Sequence, residues 1–120
     1  MNMQLINLTP HPIRIYPRDT PDRISLGDVE PEHVIEPSGP PARLVQFDLG
    51  AQYGYGVPVM QVGYGNIHNL PIPSEGTFYV VALAVALAAR RRTDLLAPYR
   101  EVRNHDGTVI GCRMLQQIRR

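Results

Sequence analysis

Eleven of the twelve prolines and eight of the ten glycines lie before residue 77. Proline fixes φ and removes an amide donor, while glycine weakens helix interiors, so this stretch is restricted to short strands joined by turns. Only the last third of the chain is free to build a helix. There the run Val81 to Ala89 is almost entirely alanine, leucine and valine, a composition of high helix propensity.

Within the proline-rich part, Gln4 to Leu8 alternates as a strand, Thr9-Pro10-His11-Pro12 breaks it, and Ile13 to Tyr16 resumes it, as a hairpin or a kinked edge strand. Residues 17–41 read as an acidic, proline-rich extended loop with one short strand near His33 to Glu36, serving as a lid or as a passive insert. Arg43 to Gln52 and Val57 to Tyr64 form the clearest hairpin, with Val45, Phe47 and Leu49 on one face and Gln46 and Asp48 on the other. Tyr53-Gly54-Tyr55-Gly56 supplies its turn, and a second Gly-Tyr-Gly at Gly63 to Gly65 ends the return strand.

After a connector at Leu70 to Gly76, Thr77 to Val81 reads as a strand entering a helix over about 82–92, whose three terminal arginines oppose the negative pole of its dipole. That helix is apolar on nearly every side, so it is wrapped by sheet or shared with a second subunit, and self-association through Ala82 to Arg92 follows. Asp94 to Pro98 and Tyr99 to Arg103 are two short extended pieces. Asn104-His105-Asp106-Gly107 is a hairpin turn leading to a closing strand at Thr108 to Leu115. The expected architecture is a single α+β domain over 1–120, with mainly antiparallel strands and hairpins packed around one central apolar helix.

Charge is unevenly placed. Residues 1–76 hold four arginines against eight acids, a net of −4; residues 77–120 hold eight against three, a net of +5. An anionic partner would meet the C-terminal part first. All twelve basic residues are arginine, which a GC-rich genome explains as well as function does. The lone Cys112 has no partner within the chain, and Met1 to Thr9 lacks the pattern of a secretory leader, so a cytoplasmic location is expected, the host cytoplasm if the chain is phage-encoded. The longest apolar run, Phe78 to Ala89, is 12 residues where a spanning helix needs roughly 20, so no membrane partner is expected.

Asn7-Leu8-Thr9-Pro10-His11 resembles the opening of small proteins of tailed phages, prophages and actinobacterial genomes. Gly76 to Val81, Thr93-Asp94-Leu95 with Pro98, Val102-Arg103, and Gly107 through Ile110-Gly111-Cys112-Arg113 are similar to other recurring blocks of that group. This chain departs from the pattern at Ala82 and Asn104, where serine and aspartate are common. The resemblance implies a phage-associated setting, in which proteins of this size often act by binding, and it implies no particular reaction.

No metal is expected, because His11, His33, His68 and His105 show no ligand spacing and Cys112 completes no local pair. No cofactor is expected either, since phosphate-cradling glycine motifs are absent. The richest functional set is Arg90, Arg91, Arg92, Arg100, Arg103 and Arg113, whose guanidinium forks match phosphate oxygens. Three readings follow. In the first, the chain is a non-enzymatic binder of an anionic, nucleotide-derived small molecule, a phage-type sponge or sensor of a host defence signal. Arg103, Arg113 and Arg92 hold phosphates, Tyr55 or Tyr64 stacks on a base, and His11 orients a hydroxyl. The second is a small hydrolase of a nucleotide or ADP-ribose-like compound using His11, Asp94 and His105. The third is a structural or protein-interaction module. Extended nucleic acid is disfavoured by the net charge of +1.

Overall fold

A computed structural model describes residues 3–119. The chain runs β1 (Gln4–Asn7), β2 (Ile13–Ile15), β3 (His33–Ile35), β4 (Arg43–Gln52), β5 (Val59–His68), β6 (Thr77–Val80), α1 (Leu83–Ala88), β7 (Leu95–Arg103) and β8 (Val109–Gln116). Six strands form one sheet in the order β1-β6-β7-β8-β2-β3, and β4 pairs only with β5. Past β3, Pro37 bridges back to Asn7 of β1, and the Ser38 and Ala42 amides donate to the carbonyls of Asn7 and Leu8, both at 2.9 Å. These contacts bring the two edges of the sheet together into a nearly closed barrel, which hides most of its unpaired backbone.

Two expectations need correction. The chain is mostly β rather than α+β, with six helical residues beside eight strands among the described residues, and its larger sheet is mixed: β1 with β6, β6 with β7 and β2 with β8 run parallel, whereas β7 with β8 and β2 with β3 run antiparallel. Nor is there a central apolar helix. The alanine-leucine run yields only six helical residues, with Val85 and Ala86 buried and Leu83, Ala84, Leu87 and Ala88 exposed. Two physical facts shorten it. Ala82 at the N-cap has no side-chain oxygen for the orphan amides. At the other end, the crossover must return to lay β7 parallel beside β6, and Arg92 is already turned to clamp Asp94 ahead of β7. Arg90 to Arg92 therefore lie outside the helix, and self-association through an Ala82–Arg92 helix has no structural basis. Tertiary geometry overrides propensity here.

The apolar interior is divided. One cluster joins Leu8, Tyr79, Val81, Val85, Leu95 and Ala97, and α1 packs there as a cover. Leu44 and Ile67, paired across the base of the β4–β5 hairpin, dock onto the same cluster. A smaller cluster of Tyr16, Ile24 and Val102 lies under the acidic loop. That loop is stitched down: Arg103 N–H donates to the Asp22 carbonyl at 2.9 Å and Ile24 N–H to the Arg103 carbonyl at 3.0 Å. Its Thr20 to Ile24 portion completes that core, with Thr20 and Ile24 both buried.

Beyond its docked base, the β4–β5 hairpin forms an arm of two ten-residue strands. The molecule measures 49 × 39 × 27 Å with a radius of gyration of 16.9 Å, against about 14 Å for a compact chain of this length. Among the described residues, no helix is long and apolar enough to cross a membrane.

Candidate functional site

The turn between β1 and β2 is held by one buried side chain. The Asn7 amide nitrogen donates to the carbonyls of His11 (2.9 Å) and Ile35 (2.8 Å), and its oxygen accepts from the Thr9 amide (2.8 Å) and hydroxyl (2.6 Å). All its hydrogen-bonding capacity is used, as burial requires. Asn7 thus fixes Thr9 to His11 against β3, and that turn becomes one wall of a broad cleft.

The cleft encloses about 780 Å³ between the Thr9–Arg14 segment, the start of α1 at Ala82 and Leu83, and the β7–β8 pair. That size is in the range that takes a small organic ligand. Its charged lining comes from Arg14, Arg100 and Glu101, with His11 and Tyr99 among its polar residues. Glu101 is engaged by the Arg103 guanidinium at 3.2 Å, which offsets its charge. Arg14 makes one long hydrogen bond, to the Ile110 carbonyl at 3.3 Å, and neither Arg14 nor Arg100 has a carboxylate partner among the described residues. The cleft therefore carries uncompensated positive charge.

Arg100 stands out by its backbone. It lies within β7 yet has φ of +57°, a left-handed conformation that crowds any β-carbon. Such a residue persists only when its surroundings over-determine it, at a cost on the order of 1–3 kcal/mol. Here the flanking pairs Tyr99 with Met114 and Glu101 with Cys112 hold it in place. Its guanidinium lies 5.8 Å from the Tyr99 ring centroid, a cation–π distance. Tyr99 and Arg100 also wall a second hollow of about 470 Å³ with Arg18, Asp19 and Arg113, so the pair forms a ridge between two basins.

Cys112 contributes to the wall of the main cleft but is fully buried, and desolvation pushes its thiol pKa up. It stays protonated and unreactive at neutral pH. Opposite it in character is Gly111, whose bareness is required. A β-carbon there would stand 2.5 Å from the Tyr16 ring and 2.6 Å from the Arg14 carbonyl oxygen.

Of the residues singled out by sequence, His11 lines the cleft. Arg113 lines the smaller hollow, but its guanidinium donates to the Thr20 carbonyl at 2.7 Å and to Asp22 at 2.6 Å, tying down the acidic loop. Arg92 makes a two-pronged bond to Asp94 at 2.7 and 2.8 Å, which lowers the Asp94 pKa through that hydrogen bond. Arg103 is occupied by Glu101 and the Gly107 carbonyl. Tyr55 and Tyr64 are on the arm, and neither lines the cleft. Asp94 and His105 are not gathered with His11: one precedes β7, the other sits in the β7–β8 turn. No group of three His, Cys, Asp or Glu side chains among the described residues is placed to hold a metal.

Arg14 and Tyr99 were missed by the sequence reading. Arg14 is separated by 96 residues from the Ile110 carbonyl it meets, so no local pattern announces it. Pro98-Tyr99-Arg100, at the junction of two apparent strands, was the available signal.

No family model matches the chain, and no match was found among curated proteins or solved structures. The geometry of the cleft therefore carries the functional argument alone.

Proposed function

We propose that the chain binds an anionic, nucleotide-derived small molecule in the cleft between the Thr9–Arg14 segment and β7–β8. The observation that carries this reading is the strained Arg100, free of any carboxylate among the described residues and set beside Tyr99 in a cleft that also holds Arg14. Strain retained at a concave site points to a role that an unstrained residue would not fill. Arg14 and Arg100 are suited to grip phosphate oxygens through charge-assisted, forked hydrogen bonds, Tyr99 to offer an aromatic face to a base, and His11 to orient a hydroxyl.

Binding without turnover is favoured over hydrolysis through His11, Asp94 and His105, because His11 alone of the three lines the cleft. Asp94 is engaged by Arg92, His105 lies in a turn outside the cleft, and the Cys112 thiol is held protonated. In a phage-associated setting such a chain acts as a sponge or a sensor for a host signal. The test is titration calorimetry with ADP-ribose and with 3′,5′-cyclic AMP and GMP, followed by heat denaturation and chromatography of the released compound. Saturable heat with intact ligand recovered supports the proposal; no heat with any of them removes it, and recovered fragments replace it with the hydrolase reading.

A further inference from the structure

We infer that the β4–β5 arm is a self-association surface, covered by the arm of a second copy of this chain. This stands on the arm alone and is independent of the ligand reading.

One face of the arm is apolar and the other mixed, with Tyr64 and Val62 paired beside Gln46 and Asp48, and beyond its base both faces are largely exposed. Phe47 pairs with Gly63, and a β-carbon at Gly63 would stand 2.6 Å from the Phe47 ring, so the glycine strand is paved by that one side chain. Leu49 continues the same β4 face at 63% exposure. Tyr64, the next residue along β5, points to the opposite face and is 61% exposed, with Val62 two residues before it. Eight of the large hydrophobic residues that the described chain leaves exposed lie on this one hairpin. Their open surface is on the order of 800 Å² over both faces and the turn, so one arm-to-arm contact buries roughly half of it, the small area of a weak, concentration-dependent association.

Charge and backbone select the occupant. From Leu44 to Ile67 the arm has a single charged residue, Asp48. A strongly charged partner finds nothing to pair with there, whereas a second uncharged arm meets no repulsion apart from Asp48. Both outer backbone edges of the two-stranded sheet are unpaired by any other strand. Long edges lacking lysine or arginine are templates for strand pairing, and two identical ribbons related by a two-fold axis satisfy each other with the same residues on both sides. A two-stranded hairpin is also marginal by itself in water, so pairing supplies the support that the barrel does not.

The test is sedimentation velocity on the full chain from roughly 1 to 500 µM, with Leu49→Lys/Tyr64→Lys compared at each concentration. Hydrogen exchange on the wild type at both ends of that range accompanies it. The expected result is a concentration-dependent oligomer for the wild type, loss of that oligomer in the variant, and amide protection of β4 and β5 that rises with concentration. A wild type that stays monomeric throughout overturns the inference. So does an oligomer whose β4 and β5 amides are no better protected at high concentration, a readout that holds even if the variant fails to fold.

Discussion

Single side chains decide how this barrel closes and how its cleft is shaped. Asn7 joins the end of β1, the Thr9–His11 turn and β3 with four buried hydrogen bonds. Asn7→Ala strands the His11 and Ile35 carbonyls, and a loss of about 3 kcal/mol in urea unfolding is expected. Asn7→Asp is no rescue, since it aims a second acceptor at two carbonyl oxygens. Gly111→Ala must push either Tyr16 or the backbone of β2, where Arg14 resides, and is expected to cost about 2 kcal/mol by the same measurement. The sequence marked Asn7 and Gly111 only as members of blocks shared with the phage-type proteins it resembles, because what each requires is a neighbour distant in the chain. Asn7 meets Ile35, 28 residues away, and Gly111 meets Tyr16.

Among the elements, those whose signals are local were the legible ones. The β4–β5 hairpin begins at Arg43 as its alternation indicates, although β5 starts at Val59 and runs through the second Gly-Tyr-Gly to His68 rather than ending there, and the Asp-Gly turn does join antiparallel β7 and β8, with Gly107 at φ of +92°. The helix was overestimated because propensity is local and the demands of a parallel crossover are not. The two pieces around Pro98 proved to be one strand containing the left-handed Arg100. Parallel pairing of β1 with β6, and the closing bridge from Pro37 to Asn7, are long-range and left no mark in the pattern. At the crossover, Asp94 is held below its usual pKa first by the hydrogen bond from Arg92. A lowered carboxylate pKa adds stability above its unfolded value of about 4, and that stability is lost as pH falls through the folded value. Asp94→Asn should therefore be less stable than wild type at pH 7 by about 1–2 kcal/mol. The gap should close as denaturant melts are repeated at pH values below about 4.

As a whole, the molecule combines a nearly closed barrel, a basic cleft on its flank and an apolar arm beyond its base. The charge asymmetry of the sequence does not set the lining of the cleft. Arg92, Arg103 and Arg113 are occupied by Asp94, Glu101 and Asp22, and the guanidinium groups in the main cleft without a carboxylate partner among the described residues are those of Arg14, in the acidic part, and Arg100. The central claim is that Arg100 keeps a strained backbone because its side chain serves the cleft. Glycine tolerates that φ, so Arg100→Gly relieves the strain while deleting the guanidinium. Thermal melts of wild type and Arg100→Gly, each alone and with saturating ADP-ribose, bear on this directly. The account predicts that the unliganded variant melts higher than wild type and that only wild type gains in Tm with the ligand; a variant that melts lower, or that keeps the full ligand-induced rise, contradicts it.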